Sequence, residues 1–417
     1  MELIAKIQTI AQQAKESTAQ LVRLITPQKN NIISAWAVAL AEHRNTIKEV
    51  NAGDVRRAGE LGYAKALIDR LTLSDKVIDG MIKGLQEVVA LNDPIGEVIE
   101  SAVRPNGLII EKLRVAIGVV AIIYESRPNV TVDAASLCFK TSNAVILRGG
   151  KESLATNICL VDILQKSGAA HGLPANAVQL IATPEHEAVN ILIKQSDYLD
   201  LVIPRGGEKL IRAVTENSYV PVIKHYKGNC HIYVEGSAAY EEVERIIVNA
   251  KCQRPGVCNA VEKIIFNQNA AQYLPRIAQA LAAKGVRVKA DQYGQDLYPQ
   301  AELASENDWY EEYLDLIIAF KMVNSVAEAI AHINKYGSHH SDAILTKDEN
   351  SIGKFFQEVD SAVVYANAST RFTDGNEFGL GAEIGISTDK IQARGPMGLK
   401  ELTTYKYQVR GEGQVRS

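Results

Sequence analysis

The chain has 417 residues, 47% of them hydrophobic and 23% charged, with 45 basic against 49 acidic side chains and a net charge of −4. That balance excludes a largely disordered chain and argues against nucleic acid or an anionic membrane as the main partner. At about 100–200 residues per domain, two or three domains are expected, with cores large enough to need no disulfide or metal staple.

The first residues do not read as a secretory signal, because Lys6 interrupts the apolar stretch and no small-residue cleavage site follows a long apolar core. The longest uncharged apolar run, 115–124, is about half of what a membrane span needs. Five cysteines without a C-x-x-C pair point to free thiols in a reducing cytoplasm.

Residues 1–92 have helical periodicity, clearest at Val77, Ile78, Met81, Ile82, Leu85, Val88 and Val89, and Asp93-Pro94 ends the region. Segment 97–124 changes to strand patterning, with Pro105-Asn106-Gly107 as a hairpin turn. Strands at 144–147, 178–181 and 199–203 then alternate with helices at 153–167, near 185–195 and from 207. A second alternating block has strands at 231–234, 261–266, 286–290, 316–320, 342–345 and 362–365, and helices at 238–251, 270–284 and 326–336. The alternation predicts parallel α/β sheets covered by helices. The tail, 404–409, alternates as a strand that pairs with another element, in this chain or in a second subunit. The expected domains are 1–225, with a hairpin arm at about 97–114, then 226–365, and 366–417 returning to the first.

The most informative stretch is Gln253-Arg254-Pro255-Gly256-Val257-Cys258-Asn259. Pro-Gly forces a turn, and Arg254 close in sequence favours the thiolate, so Cys258 is a candidate nucleophile. The bland alternative is a small buried residue, the usual fate of a free cysteine. That fate is expected for Cys138, Cys159 and Cys230, whereas Cys252 falls at a helix end. Glu125-Ser126-Arg127-Pro128-Asn129 follows a buried strand, where α/β ligand sites form. There Asn129 is a candidate oxyanion donor and Arg127 a candidate anion ligand, against the simpler reading of a turn with a helix cap at Asn129 or Thr131.

Arg148-Gly149-Gly150-Lys151 and Arg205-Gly206-Gly207 each join a strand to a helix. Neither matches a dinucleotide fingerprint or a phosphate loop, yet two such junctions with three cations suggest a phosphorylated nucleotide. No G-x-S-x-G elbow occurs. His186-Glu187 lacks the second histidine of a zinc protease, and His339 and His340 cannot share a site if they lie on one strand, so no metal is expected. The long polar loop that follows 362–365, with Asn367, Arg371 and several glycines, reads as functional.

Together these stretches resemble the aldehyde dehydrogenase superfamily and, within it, the gamma-glutamyl phosphate reductase (glutamate-5-semialdehyde dehydrogenase) family. The resemblance rests on residues 124–133, 143–152, 253–259, 332–342 and 367–388 and covers nearly the whole chain. It implies two Rossmann-like parallel α/β domains plus a small β oligomerisation arm. It implies that the Cys258 thiolate attacks L-glutamate 5-phosphate and forms a thioester, which hydride from NADPH converts to glutamate 5-semialdehyde. That product closes spontaneously to 1-pyrroline-5-carboxylate, the ring precursor of proline. In this scheme Asn129 holds the oxyanion, Arg127, Arg254 and Arg371 bind substrate, and Arg148, Gly149, Gly150, Lys151, Arg205, Gly206 and Gly207 bind NADPH/NADP. A homo-oligomer, dimer or dimer of dimers, and functional coupling to glutamate 5-kinase are implied as well. One departure is informative: superfamily members that hydrolyse their thioester carry a glutamate in Glu-Leu-Gly-Gly, whereas 221–228 has no carboxylate. An acyl-phosphate enzyme fits that absence, and so does a coenzyme A-dependent acylating relative. A non-catalytic nucleotide-binding scaffold is the remaining alternative.

Overall fold

The computed structural model describes residues 1–416. Helices Glu2–Leu21, Thr26–Glu42, Arg44–Glu60 and Asp75–Ala90 open the chain. The last of these buries Ile78, Met81, Leu85 and Val88, and the Ser74 hydroxyl accepts from the Val77 N–H at its start. Fully buried Trp36 fixes the helical layer in place: its indole donates to the Leu164 carbonyl at 2.8 Å, and its ring meets Phe139 at 5.2 Å. No helix among the described residues is long and apolar enough to cross a membrane.

β1 (Val98–Val103) and β2 (Ile109–Ala116) form the expected hairpin, with Gly107 at a φ of +85° in its turn. The tail strand, Thr403–Arg410, lies antiparallel to β2 in unbroken register, from Thr403 opposite Ala116 to Arg410 opposite Ile109. Its partner is therefore in the same chain. Asn143 ties this arm to the sheet behind it. The buried amide accepts from the Gly118 N–H at 2.8 Å and donates to the Leu402 carbonyl at 2.8 Å.

The first parallel sheet holds β3 (Val119–Tyr124), β4 (Ala144–Arg148), β5 (Val178–Leu180) and β6 (Leu201–Arg205), in the order β5-β4-β3-β6. β3 and β4 are buried on both faces, so they read as unbroken apolar runs. The chain steps from β3 out to β5 and then returns to the other side of β3. The carboxyl ends of β3 and β6 thus flank a topological switch point, where such sheets bind ligands.

The second sheet has seven parallel strands: β7 (Cys230–Val234), β8 (Val261–Asn267), β9 (Arg287–Ala290), β10 (Glu302–Leu303), β11 (Ile317–Val323), β12 (Ser341–Leu345) and β13 (Val363–Ala366). Their order is β10-β9-β11-β8-β7-β12-β13. Ile232, Ile264 and Phe320 pack on Val243, Ile247 and Ile277 on one face, while Tyr233, Ile265 and Ile344 pack on Ile330, Ile333 and Phe355 on the other.

The chain forms two compact units, residues 1–224 with 379–385 and 397–417, and residues 225–378 with 386–396. Residues 366–378 and 386–396, expected to return to the first unit, stay with the second, the former through hydrogen bonds from Asn259 to the Arg371 and Thr373 carbonyls. The predicted helix at 270–284 is shorter, since a 3-10 turn over Gln268–Tyr273 precedes the helix Leu274–Ala282.

Replacing Asn143 strands a buried N–H and a buried carbonyl, each costing about 1–3 kcal/mol. Asn143→Ala is therefore expected to lose about 3 kcal/mol in urea denaturation, and Asn143→Asp, which keeps the acceptor but buries an unpaired carboxylate against the Leu402 carbonyl, at least as much.

Candidate active site

Beyond Tyr124 the chain turns at Ser126, whose φ is +45°. Glu152 holds that turn, with Oε1 accepting from the Ser126 N–H at 2.7 Å and from its hydroxyl at 2.8 Å. Asn129 stands at the start of helix Val130–Lys140 but does not cap it. The first-turn N–H groups of Val130 and Thr131 donate to the Arg127 and Pro128 carbonyls instead. The Asn129 amide is directed along the helix, where Nδ2 donates to Asp133 Oδ2 at 3.1 Å. Burial pushes the Asp133 carboxyl up to about 6, while the Asn129 bond and the Arg205 charge oppose the rise. Thr131 is no cap either, because its hydroxyl bonds Tyr124 and Asn157. Arg127 is exposed.

The cofactor candidates divide. Gly149 is buried, and a Cβ there would lie 2.1 Å from Asn157 Nδ2, so packing demands glycine. Gly150, also buried, continues the turn, and Lys151 beyond it is exposed. Arg148 departs from expectation: it is 5% exposed, and it donates to the carbonyls of Gly149 at 2.8 Å and Glu185 at 3.1 Å. Its guanidinium supports the loop from inside and is not presented to an anion. Gly206 and Gly207 are exposed at the start of helix Glu208–Asn217, where the Gly207 N–H donates to Glu125 Oε2 at 2.9 Å. The Arg205 guanidinium lies against Gly385, where a Cβ would fall 2.3 Å from Nη1.

Cys258 occupies the turn between helix Tyr240–Cys252 and β8, half-buried, at the amino edge of the second sheet. Buried Asn259 pins the turn. Its Nδ2 donates to the Thr373 carbonyl at 2.8 Å, its Oδ1 accepts from Arg371 Nη1, and its carbonyl accepts the Thr370 hydroxyl at 2.7 Å. Arg371 also donates from Nε to Gln253 Oε1 at 2.9 Å. Burial first, and then the neighbouring Arg254 charge, push the Arg371 guanidinium below its ordinary pKa. Arg254 is exposed. The second unit thus brings Cys258, Arg254 and Arg371 together, while Asn129 and Arg127 belong to the first.

Several residues at this edge carried no sequence signal. A Cβ on Gly228 would fall 1.8 Å from the Cys258 carbonyl oxygen, so only glycine fits. The Gly228 N–H donates to Glu312 Oε1 at 2.8 Å, so a carboxylate does reach segment 221–228, from a loop far along the chain. Burial raises the Glu312 pKa. Cys230 donates from Sγ to the Cys258 carbonyl at 3.2 Å, and burial keeps it a thiol. His339 and His340 both precede β12. They part because His339 has a φ of +59°, which leaves His340 fully buried, and not through strand alternation. Cys159, expected in the core, is half-buried and lines a surface groove with His43 and Asp162. All five cysteines are free.

Lys251 and Glu262 flank the cysteine loop and close its base with a 3.0 Å ion pair in which neither side chain is exposed. Burial pushes Glu262 up to about 7 and Lys251 down. Removing one partner of a buried pair costs about 3–5 kcal/mol, whereas replacing both with apolar residues costs far less. Glu262→Ala is expected to lose stability on that scale in thermal denaturation, and Lys251→Met/Glu262→Leu to recover most of it.

A model of the aldehyde dehydrogenase family matches residues 4–295. A protein of Moorella thermoacetica named gamma-glutamyl phosphate reductase is 50% identical over 417 residues, covering 100% of both chains. The crystal structure of a gamma-glutamyl phosphate reductase from Thermotoga maritima superposes with a TM-score of 0.97 at 46% identity, covering 99% of this chain and 100% of that one. An acetylating aldehyde dehydrogenase from Geobacillus thermoglucosidasius, 17% identical with a TM-score of 0.70 over 100% of this chain and 98% of its own, shares the fold. With parallel α/β sheets, a cysteine loop and relatives matched end to end, the chain belongs to the aldehyde dehydrogenase family and, within it, to the gamma-glutamyl phosphate reductases.

Proposed function

We propose that the protein reduces L-glutamate 5-phosphate to L-glutamate 5-semialdehyde with NADPH, releasing phosphate, in the synthesis of proline. The observation that carries this reading is the half-buried Cys258 on a loop pinned through Asn259, with Arg254 and Arg371 beside it. The half-identical relatives of that name support the choice of substrate.

In this reading the Cys258 thiolate attacks the acyl carbon. A C–S bond forms, the C–O bond to phosphate breaks, and a thioester remains. Asn129 donates an N–H to the developing oxyanion, together with a backbone N–H at the cysteine turn. When bound, NADPH supplies hydride to the thioester carbonyl. Collapse of the hemithioacetal then breaks the C–S bond and returns Cys258 as the thiolate. The free amine of the semialdehyde closes on its aldehyde with loss of water, without the protein.

Arg254 and Arg127 are the proposed ligands for the substrate's phosphate and carboxylate. Arg371 acts with them from a position it holds by bonding Asn259 and Gln253. For the dinucleotide, the exposed Gly206-Gly207 turn at a helix start fits a pyrophosphate that displaces Glu125, and exposed Lys151 fits a 2′-phosphate. Gly149 and Gly150 shape the neighbouring turn. A thioester that hydride reduces needs no water-activating base, and Glu312, which reaches segment 221–228, is bonded to the Gly228 N–H. A homo-oligomer is proposed through the arm, where Val98, Val103, Tyr405, Tyr407 and Val409 are exposed together. A cytoplasmic location and coupling to glutamate 5-kinase complete the proposal.

The reverse reaction tests it. Pyrroline-5-carboxylate and NADP should yield NADPH only with inorganic phosphate present. A rate indifferent to phosphate, or one dependent on coenzyme A, overturns the assignment. Cys258→Ser should lower turnover by more than about 10³-fold and leave NADPH binding intact. Lys151→Ala should raise KM for NADPH about tenfold, the scale of one charge-assisted contact, and leave KM for NADH nearly unchanged.

A further inference from the structure

We propose that Asp133 is a positioning residue that fixes which way the Asn129 amide faces, so that an N–H, and not the carbonyl oxygen, is offered to the oxyanion. The inference rests on the role for Asn129 proposed above.

The argument starts from what Asn129 does not do. An asparagine at a helix start ordinarily accepts from a first-turn N–H. Here the Arg127 and Pro128 carbonyls have taken those donors, and the Asn129 side chain makes no capping bond. Its amide is left with one described partner, Asp133 Oδ2, one helical turn along the same face at 3.1 Å. An ionised carboxylate only accepts hydrogen bonds, so the amide must turn Nδ2 toward it. Nδ2 carries two hydrogens in a fixed plane. One lies on the line to Asp133, and the other is the donor that the proposed role requires.

The placement of Asp133 matches this task. It is half-buried, whereas every other residue from Thr131 to Lys140 is buried. Toward helix Asp75–Ala90 it meets Gly84, where even an added Cβ would stay 3.8 Å from Oδ1. Arg205, at the end of β6, supplies the positive charge that reaches it. The bond from Asn129 Nδ2 and the Arg205 charge both favour the ionised carboxylate, the acceptor that the arrangement needs. A side chain that can both donate and accept would allow either amide orientation.

A double-mutant cycle tests the proposal, with kcat and KM for the forward reaction measured alongside thermal stability. Asn129→Ala should lower kcat about 10²-fold or more, the scale of a lost oxyanion donor. Asp133→Asn, isosteric but no longer a pure acceptor, should lower kcat roughly tenfold with KM unchanged, the scale of a lost orienting partner. Asp133→Glu should restore part of that loss. Asn129→Ala/Asp133→Asn should be no slower than Asn129→Ala alone. Full additivity of the two losses, or an Asp133→Asn enzyme with wild-type kcat, overturns the inference while leaving the Asn129 role in place. An Asn129→Ala enzyme with wild-type kcat overturns that role, and the inference with it.

Discussion

A carboxamide buried at the amino edge of the seven-stranded sheet cannot leave its donors and acceptor unmade, because each stranded polar atom would cost about 1–3 kcal/mol. Asn259 resolves this by joining two segments at one point: its own cysteine turn, and the 370–373 turn through the guanidinium of Arg371 and the carbonyl of Thr373. Thr373 is anchored in turn by the hydroxyls of Ser341 and Tyr365. The bonds of one side chain therefore hold the Cys258 turn, the Arg371 guanidinium and, through Thr373, the start of β12. Gly228 and Cys230 close the opposite side of the same turn, one by backbone contact and one by a thiol donor. The turn is thus held by hydrogen bonds on one side and by close backbone packing and a thiol donor on the other.

The first parallel sheet was legible because β3 and the first four residues of β4 form unbroken apolar runs and Gly-Gly turns follow β4 and β6. Helix Val130–Lys140 was not. It is buried almost all round, so its sequence lacks the apolar period that marks a surface helix. Cys258 was legible from its Arg-Pro-Gly turn. Glu312, Cys230 and Thr373 were not, since each reaches the site through a long-range contact at strand starts that no local pattern encodes. Arg148 shows the converse. A cation in a Gly-Gly turn looks like a phosphate ligand, yet this one is buried and turns its two Nη groups to backbone carbonyls.

The two glycine turns share a device that is visible only in three dimensions. Glu152 accepts from Ser126 beside one turn, and Glu125 accepts from Gly207 at the other. In both places a carboxylate of the chain stands at backbone N–H groups that would otherwise attract an external anion.

The first unit is discontinuous, and its parts leave the ribosome far apart. Residues 379–385 and 397–417 belong to it but follow nearly all of the second unit, 225–378, in the chain. The arm strand that pairs with β2, and the Leu402 carbonyl that Asn143 binds, therefore emerge after that second unit. The part of the protein synthesised first is completed last. Until then the β1–β2 hairpin carries an open edge, and the second unit can assemble nearly all of its core before the first is closed.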